Sequence, residues 1–337
     1  MGVRPATRLG LGKKVVFSLV PAIVLLGLAE IAARVFYTRP PAVLVQAPLD
    51  GVVNLTVPDF FEYHPRLFWV LRPGIRRPPS FWGDITNSRG FRMKSEPGDR
   101  REKVRILCLG DSCTYGLRLP LDHAWPAALD RLLESAEVVN AGVPGYSSYQ
   151  GRVLFEDRCE DLEPDVLVVA FGQNDVMAWP SRQDGQIVQL HDRDRAEHIG
   201  YARTSSRLLQ WLLSRRLRRP EVLRAGTSPE YWLPRVSITD FRANLEHFAG
   251  LAPIVVFVAW VRRKELDPRF EEVYPLERLR RYDQVILSMR AAGHSVLSVE
   301  ALFRKSGLPP DRLFVDSVHA TKEGAQLVAQ ELARHLR

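Results

Sequence analysis

Apolar and polar positions divide the chain into three regimes. From Val15 to Ala29 the run VVFSLVPAIVLLGLA carries no charge. Extended through Tyr37 it gives about 23 residues, roughly 34 Å of helix, enough to cross a bilayer. Glu30 and Arg34 stand four apart near its end, a spacing that lets them pair on one helix face. Residues 38–103 are repeatedly interrupted by proline, arginine and aromatics, as in FFEYHPRLFWVLRPGIRRPPSFWGDITNSRGFR. This pattern predicts a linker leaving the membrane at Pro40, Pro41 and Ala42, then a small extension of two or three short strands covering the main domain.

From Val104 onward, short apolar runs alternate with amphipathic ones. VRILCL, EVVNAG, DVLVVAFG, IVVFVAW and SVLSVE read as five strands. Between and after them lie predicted helices. AWPAALDRLLESA places Trp125, Leu129, Leu132 and Leu133 on one face. YQGRVLFEDRCEDL is closed by Pro164, ITDFRANLEHFAGLA starts at a Thr239 cap, and LERLRRYDQVILSMRAAG stops at Gly293. TKEGAQLVAQELARHL opens on Thr321 as its cap. Strands alternating with helices imply parallel βαβ units joined by right-handed crossovers. The expected fold is an α/β, three-layer, flavodoxin-like sandwich around a five-stranded parallel sheet. The crossover spanning residues 176–253 is far longer than such units need. It contains SSRLLQWLLSRRLRRP, in which Leu208, Leu209, Trp211, Leu212 and Leu213 precede Arg215, Arg216, Arg218 and Arg219. Two readings stand: a surface helix packed on the domain with solvated arginines, favoured here, or an interfacial helix or lid near a membrane surface.

Charge adds direction. The net charge is +8, and part of the excess lies in Arg4, Arg8, Lys13 and Lys14, with no acidic neighbours. A basic flank ahead of an apolar run keeps residues 1–14 in the cytoplasm, makes residues 15–37 a single-pass signal anchor, and exports the rest. A cleavable leader is the alternative, since Gly27-Leu28-Ala29 carries small residues where a signal peptidase looks. The sequon Asn54-Leu55-Thr56 matters only if the host glycosylates exported proteins. No nucleic-acid-binding motif accompanies the basic clusters, so no nucleic-acid partner is expected. Three cysteines, at 108, 113 and 159, are too few for a disulfide framework and have no zinc spacing; a Cys113–Cys159 bridge stays open.

Three successive strands deliver polar turns to one sheet edge, where ligands bind in such folds: Gly110-Asp111-Ser112, Asn140-Ala141-Gly142 and Gly172-Gln173-Asn174-Asp175. Ser112 needs a neighbouring base to act as a nucleophile. Asp316-Ser317-Val318-His319, just ahead of the last helix, is the one compact acid/base arrangement around a histidine. There Asp316 can hold the His319 Nδ1 hydrogen and leave Nε2 to take the serine proton. Oxyanion donors are expected from the Ser112 N–H, the Gly142 N–H and the Asn174 amide. Bland roles compete: Ser112 as a helix cap, Asn174-Asp175 as an Asx turn, Cys108 as core, and Cys113 as packing behind the nucleophile.

Taken in order, Gly110-Asp111-Ser112, Gly142 in NAGVPGY, Asn174 in GQND, and Asp316/His319 in DSVH resemble the four blocks of the SGNH (GDSL-type) hydrolase superfamily. The resemblance covers residues 104–337. It implies Ser112, Asp316 and His319 as catalytic triad, and Ser112, Gly142 and Asn174 as oxyanion hole, with no metal or organic cofactor. YHPRLFWVLRPG and NSRGFR also resemble the leader of membrane-anchored bacterial members. The long third crossover and Cys113 depart from the pattern without removing a block. The expected function is hydrolysis of O-acyl, chiefly O-acetyl, esters on a glycan or small molecule. Acetyl transfer to an extracytoplasmic polysaccharide through the same triad is the alternative, and an inactive glycan-binding protein a third reading.

Overall fold

The computed structural model describes residues 11–37, 60–76, 85–98, 103–177, 181–183, 186–219, 221–224, 228, 231–271 and 275–336. The expected linker at Pro40–Ala42, the sequon at Asn54 and residues 1–10 of the basic tail lie outside them. The chain forms two compact units, residues 1–46 with 197–219, and residues 47–196 with 220–337.

The first unit begins with α1 (Leu11–Phe36), whose Leu19–Phe36 stretch is long and apolar enough to cross a membrane. Its large apolar side chains, such as Ile23, Leu26 and Ile31, are exposed. Glu30 and Arg34 pair at 2.9 Å, as their spacing predicts.

The second unit opens with a hairpin of β1 (Phe61–His64) and β2 (Phe68–Leu71). The sheet of the main domain starts at β3 (Val104–Gly110), which leads into the short α2 (Ser112–Tyr115) and then α3 (Trp125–Leu132). Next come β4 (Ala136–Gly142), α4 (Ser148–Leu154), β5 (Val166–Ala170) and α5 (Gln173–Val176). The helix predicted through residue 162 holds α-geometry only to Leu154, continuing as a π-helical turn over Phe155–Cys159 and a 3-10 turn over Glu160–Leu162.

The long crossover is not merely helical. It contributes β6 (Ser181–Gln183) and β7 (Gln186–Gln189), then α6 (Asp192–Arg203), α7 (Arg207–Ser214) and β8 (Glu221–Arg224). β6, β7 and β8 form an antiparallel sheet that the sequence pattern did not suggest. After it come α8 (Ile238–Ala249), β9 (Ile254–Ala259), α9 (Arg263–Leu266), α10 (Leu276–Ser288) and β10 (Ser295–Ser298). The chain closes with α11 (Val299–Ser306), α12 (Pro310–Leu313) and α13 (Lys322–His335). Thr321 caps α13 as expected, its side chain accepting from the Gly324 N–H. The cap of α8 is Ser237 rather than Thr239, because Ile238 already enters the helix and the Ser237 hydroxyl reaches the Asp240 N–H.

The five predicted strands pair in parallel in the order β10-β9-β5-β3-β4. In sheet-strand numbering this is the 2-1-3-4-5 order of flavodoxin-like folds, with its switch point between the first and third strands. Their apolar runs fill the core, where Cys108, Val168 and Val258 meet Trp125, Leu129, Phe303 and Val328 from the covering helices.

Buried polar groups tie the carboxyl edge together. Asp175, wholly buried at α5, accepts from the Ser148 N–H at 2.9 Å, the Ser148 hydroxyl, and the Gly172 N–H at 3.1 Å. The Asn244 amide of α8 donates to the Ser148 hydroxyl at 2.9 Å. One carboxyl thus joins α4, α5 and α8.

Burial pushes Asp175 up to about 7. It pushes Asp111 up to about 6. Unfolded carboxyls release their protons near about 4. At these two positions the folded state therefore binds more protons between about pH 4 and 7, so their contribution to stability falls as pH rises through that window. Between about pH 5 and pH 8, urea unfolding of the full chain in detergent should show the wild type losing more stability, or gaining less, than Asp175→Asn. The expected loss is about 1 kcal/mol or more per carboxyl. Equal pH dependence in the wild type and in Asp175→Asn would contradict the buried-carboxyl account.

Candidate active site

Ser112 sits at the first position of α2, immediately beyond β3. The turn into it is tight. A Cβ on Gly110 would collide with Thr114 and the Ala170 carbonyl. Asp111 supplies the helix cap, its Oδ1 accepting from the Cys113 N–H at 2.8 Å. Ser112 is therefore the first residue of the helix rather than its cap. First-turn N–H groups have no partner inside a helix, which leaves the Ser112 N–H available to an incoming anion.

The loop ahead of α13 brings the remaining acid/base groups to this point. His319 Nε2 lies 2.8 Å from Ser112 Oγ, and His319 Nδ1 lies 2.8 Å from Asp316 Oδ2. Asp316 Oδ1 also accepts the N–H groups of Val318 at 3.0 Å and His319 at 2.8 Å, closing the four-residue loop on itself. Partial burial opposes the Asp316 charge. The hydrogen bond and charge of His319, with the two N–H donors, outweigh it and hold this carboxyl well below the ordinary carboxylate range. The loop is anchored from β9. Trp260 Nε1 donates to the Val318 carbonyl at 2.9 Å, and the Arg263 N–H to the Ser317 carbonyl at 2.8 Å.

A further charge touches the acid. Arg118 Nε lies 3.2 Å from Asp316 Oδ2, on a backbone with φ of 69°. Positive φ is uncommon for a non-glycine residue. Nothing in the spacing around Arg118 signals this contact, which exists only once the loops after β3 and before α13 meet.

The expected oxyanion donors fare differently. Asn174 stands beside the Ser112 turn, its Nδ2 donating to Asp111 Oδ2 at 3.1 Å and to the Tyr146 carbonyl at 3.1 Å. This side-chain arrangement links two loops and is not a local Asx turn. Gly142 is a correction. Its N–H donates to Asn140 Oδ1 at 3.0 Å, and a Cβ there would strike the Tyr115 N–H group. Gly142 therefore lets α2 lie close on β4 and has its donor already spent. Three residues on, Gly145 has φ of 81° in the turn closed by the Tyr146 N–H to the Val143 carbonyl. Pro144-Gly145 has the residue pair of a type II turn, a signal present in the sequence that points to this position.

The Gly145 turn is held from two sides. Trp69 of β2 donates from Nε1 to the Pro144 carbonyl at 3.1 Å, and Tyr146 returns its hydroxyl to the Trp69 carbonyl at 2.6 Å. Arg235 donates to the Gly145 carbonyl at 2.7 Å while its Nη2 lies 3.1 Å from Asp192 Oδ2, both side chains being buried. Arg92 donates to the carbonyls of Gly116 at 2.8 Å and Leu119 at 2.6 Å and stacks 4.1 Å over the Tyr115 ring. The extension before β3 and the long crossover thus support the loops around Ser112.

The cysteines are free and buried, so Cys113 and Cys159 do not pair. Burial pushes the Cys113 thiol well above its ordinary value, with nearby Asp111 and Asp316 adding to the rise. With the Val318 carbonyl 3.8 Å from its sulfur, Cys113 lines a cavity of about 10 Å³ together with Ser112, Leu117, Trp125 and His319. A larger cavity, about 460 Å³, lies near Lys94, Asp130 and Glu137, away from these residues. Among the described residues no three His, Cys, Asp or Glu side chains gather to hold a metal ion.

Residues 108–327 match the family described as GDSL-like Lipase/Acylhydrolase. An arylesterase of Vibrio mimicus is 31% identical over 75 residues, covering 21% of this chain and 38% of that protein. A thioesterase/protease/lysophospholipase of Escherichia coli is 37% identical over 71 residues, covering 21% of this chain and 34% of that one. The chain thus spans little more than a third of the curated relatives it matches. Among solved structures, an acetylxylan esterase from Geobacillus stearothermophilus is 17% identical, with TM-score 0.44, over 69% of this chain and 93% of that one. A lipase/acylhydrolase from Enterococcus faecalis is 18% identical, with TM-score 0.43, over 69% and 94%.

Cys113→Ala should keep most esterase activity, within about threefold, because a thiol held protonated is a poor nucleophile. Assay with an aryl acetate checks this; a collapse to the level of Ser112→Ala would make Cys113 a reacting group.

Proposed function

The chain belongs to the GDSL-like lipase/acylhydrolase family, and we propose that it is an exported, membrane-anchored serine esterase that removes short acyl groups, chiefly acetyl, from hydroxyls of a glycan or small molecule. The observation that carries the chemistry is the 2.8 Å approach of His319 Nε2 to Ser112 Oγ, with Asp316 at 2.8 Å behind the ring. Ser112 Oγ attacks the ester carbonyl as its proton passes to His319 Nε2. Asp316 stabilises the imidazolium and fixes its tautomer. The alcohol leaves with that proton, and water then releases the acyl group by the same route in reverse.

Negative charge grows on the carbonyl oxygen and needs donors placed in advance. The Ser112 N–H and the Gly145 N–H take this role, Gly145 replacing the Gly142 of the sequence expectation. The Asn174 amide, held beside the Ser112 turn by Asp111 Oδ2 and the Tyr146 carbonyl, is the third donor of this proposal. Export is supported by the basic residues Arg4, Arg8, Lys13 and Lys14 ahead of the apolar helix.

Ser112→Ala should abolish hydrolysis of an aryl acetate with the fold intact by circular dichroism; retained activity would remove the assignment. His319→Ala should lower kcat by about 10³-fold or more. Asn174→Ala should lower kcat by about 10²-fold with little change in KM, the pattern of a group that acts in the transition state. Incubation with an acyl donor and a panel of glycans separates hydrolysis from transfer. Free acetate alone supports the esterase, and acetylated glycan would make the chain a transferase.

A further inference from the structure

Glu30 is an acidic residue inside the apolar stretch Leu19–Phe36. A carboxylate there needs partners. It has them on α7. Glu30 Oε1 accepts from the Arg207 N–H at 2.9 Å, and Oε2 accepts from the Leu208 N–H at 2.9 Å and the Ser206 hydroxyl at 2.6 Å. Arg34 adds its 2.9 Å bond to Oε1. The carboxylate therefore takes up the first N–H groups of α7, which have no partners within their own helix. The negative charge also faces the positive end of that helix.

The rest of α7 has the composition of an interfacial helix. Leu209, Trp211 and Leu212 are 43%, 37% and 48% exposed. Gln210 is its one buried residue. The sequence favoured an apolar face covered by the protein; these exposures oppose that reading. Arg215, Arg216, Arg218 and Arg219 follow at once, all exposed, and the Arg215 guanidinium lies 4.3 Å over the Trp211 ring. Between the two helices runs an apolar groove of about 380 Å³, lined by Ala29, Ala33, Phe36, Leu208 and Trp211 among others. Glu30 lies six residues before the end of α1, about 9 Å along the axis at 1.5 Å per residue. That is the depth at which amphipathic helices rest in the headgroup and acyl boundary, roughly 5–10 Å.

We propose that α1 and α7 form one membrane-anchoring element. In it α1 is retained rather than removed, and α7 lies in the leaflet at the exit end of α1, bound to anionic phospholipid. Leu209 and Leu212 enter the acyl layer, and the four arginines meet lipid phosphates, which match their charge. Cleavage after Ala29 would leave about two turns of α1, too short to hold a helix by itself, and would remove one wall of the groove. This inference rests on α1 as a membrane span and extends it to a second contact.

The test uses the full chain, purified in detergent and reconstituted into phosphatidylcholine vesicles with and without phosphatidylglycerol. Intact mass should include residues 1–29; a chain beginning at Glu30 overturns both the anchor and the present proposal. Fluorescence is then compared between the wild type and Trp211→Phe, using lipids brominated near the acyl carbonyl. The Trp211 contribution should be quenched at least about twofold, and more with phosphatidylglycerol than without. Changing all four arginines to glutamine should remove the lipid-charge dependence while aryl acetate turnover stays unchanged. Full-length protein that is extracted only by detergent, yet shows no Trp211 quenching, overturns the interfacial helix alone and leaves the anchor standing.

Discussion

The site depends on how closely α2 can lie on the sheet edge. Ser112 is one residue into a helix that begins where β3 ends, and that helix rests against β4. Gly110 and Gly142 are paired across β3 and β4. A side chain on either would collide with Thr114 or Tyr115. Two missing Cβ atoms set the height of Ser112 above the sheet. From that height the hydroxyl meets His319 at hydrogen-bond distance. A displacement of about 1 Å in such a constellation can lower the rate 10²-fold, so the glycines act on chemistry through packing alone.

The loops around this helix are fixed by buried polar groups more than by the apolar core. Asp111 caps α2 and receives the Asn174 amide, which also holds the Tyr146 carbonyl. Arg235 with Asp192, and Trp69 with Tyr146, clamp the Gly145 turn from the crossover and from the N-terminal hairpin. Buried polar networks of this kind are stable only when every member is satisfied, which makes the arrangement specific. The short segments outside the sheet therefore have a physical task. They supply the donors that a bare sheet edge lacks.

The regular part of the domain was legible from Val104 onward because each strand centres on a short apolar run and the long helices carry one apolar face. Thr321 as a cap was equally legible, since capping is local chemistry. Thr239 misled because Ser237 and Thr239 both suit an N-cap locally, and Phe241 and Leu245 are buried when Ser237 begins the helix. The antiparallel sheet β6-β7-β8 went unseen because its strands are three or four residues long, too short for an alternating pattern to show.

By itself the sequence determined the sheet, the order of the polar turns, and Ser112, Asn174, Asp316 and His319 as the residues to watch. These follow from local periodicity and from a carboxylate three residues before a histidine. Tertiary structure decided that the Gly142 donor is spent on Asn140. Along the chain only the Pro144-Gly145 pair sets Gly145 apart from Gly142, and the approach of α2 to β4 and the positive φ at Gly145 decide between them. It also decided that Arg118 touches Asp316, that Trp69 and Arg235 hold one turn, and that Glu30 closes the end of α7. These contacts join residues dozens to nearly two hundred positions apart. A hydrogen bond between such residues leaves no periodic trace in the sequence, because the fold sets the distance and the chain sets only the partners.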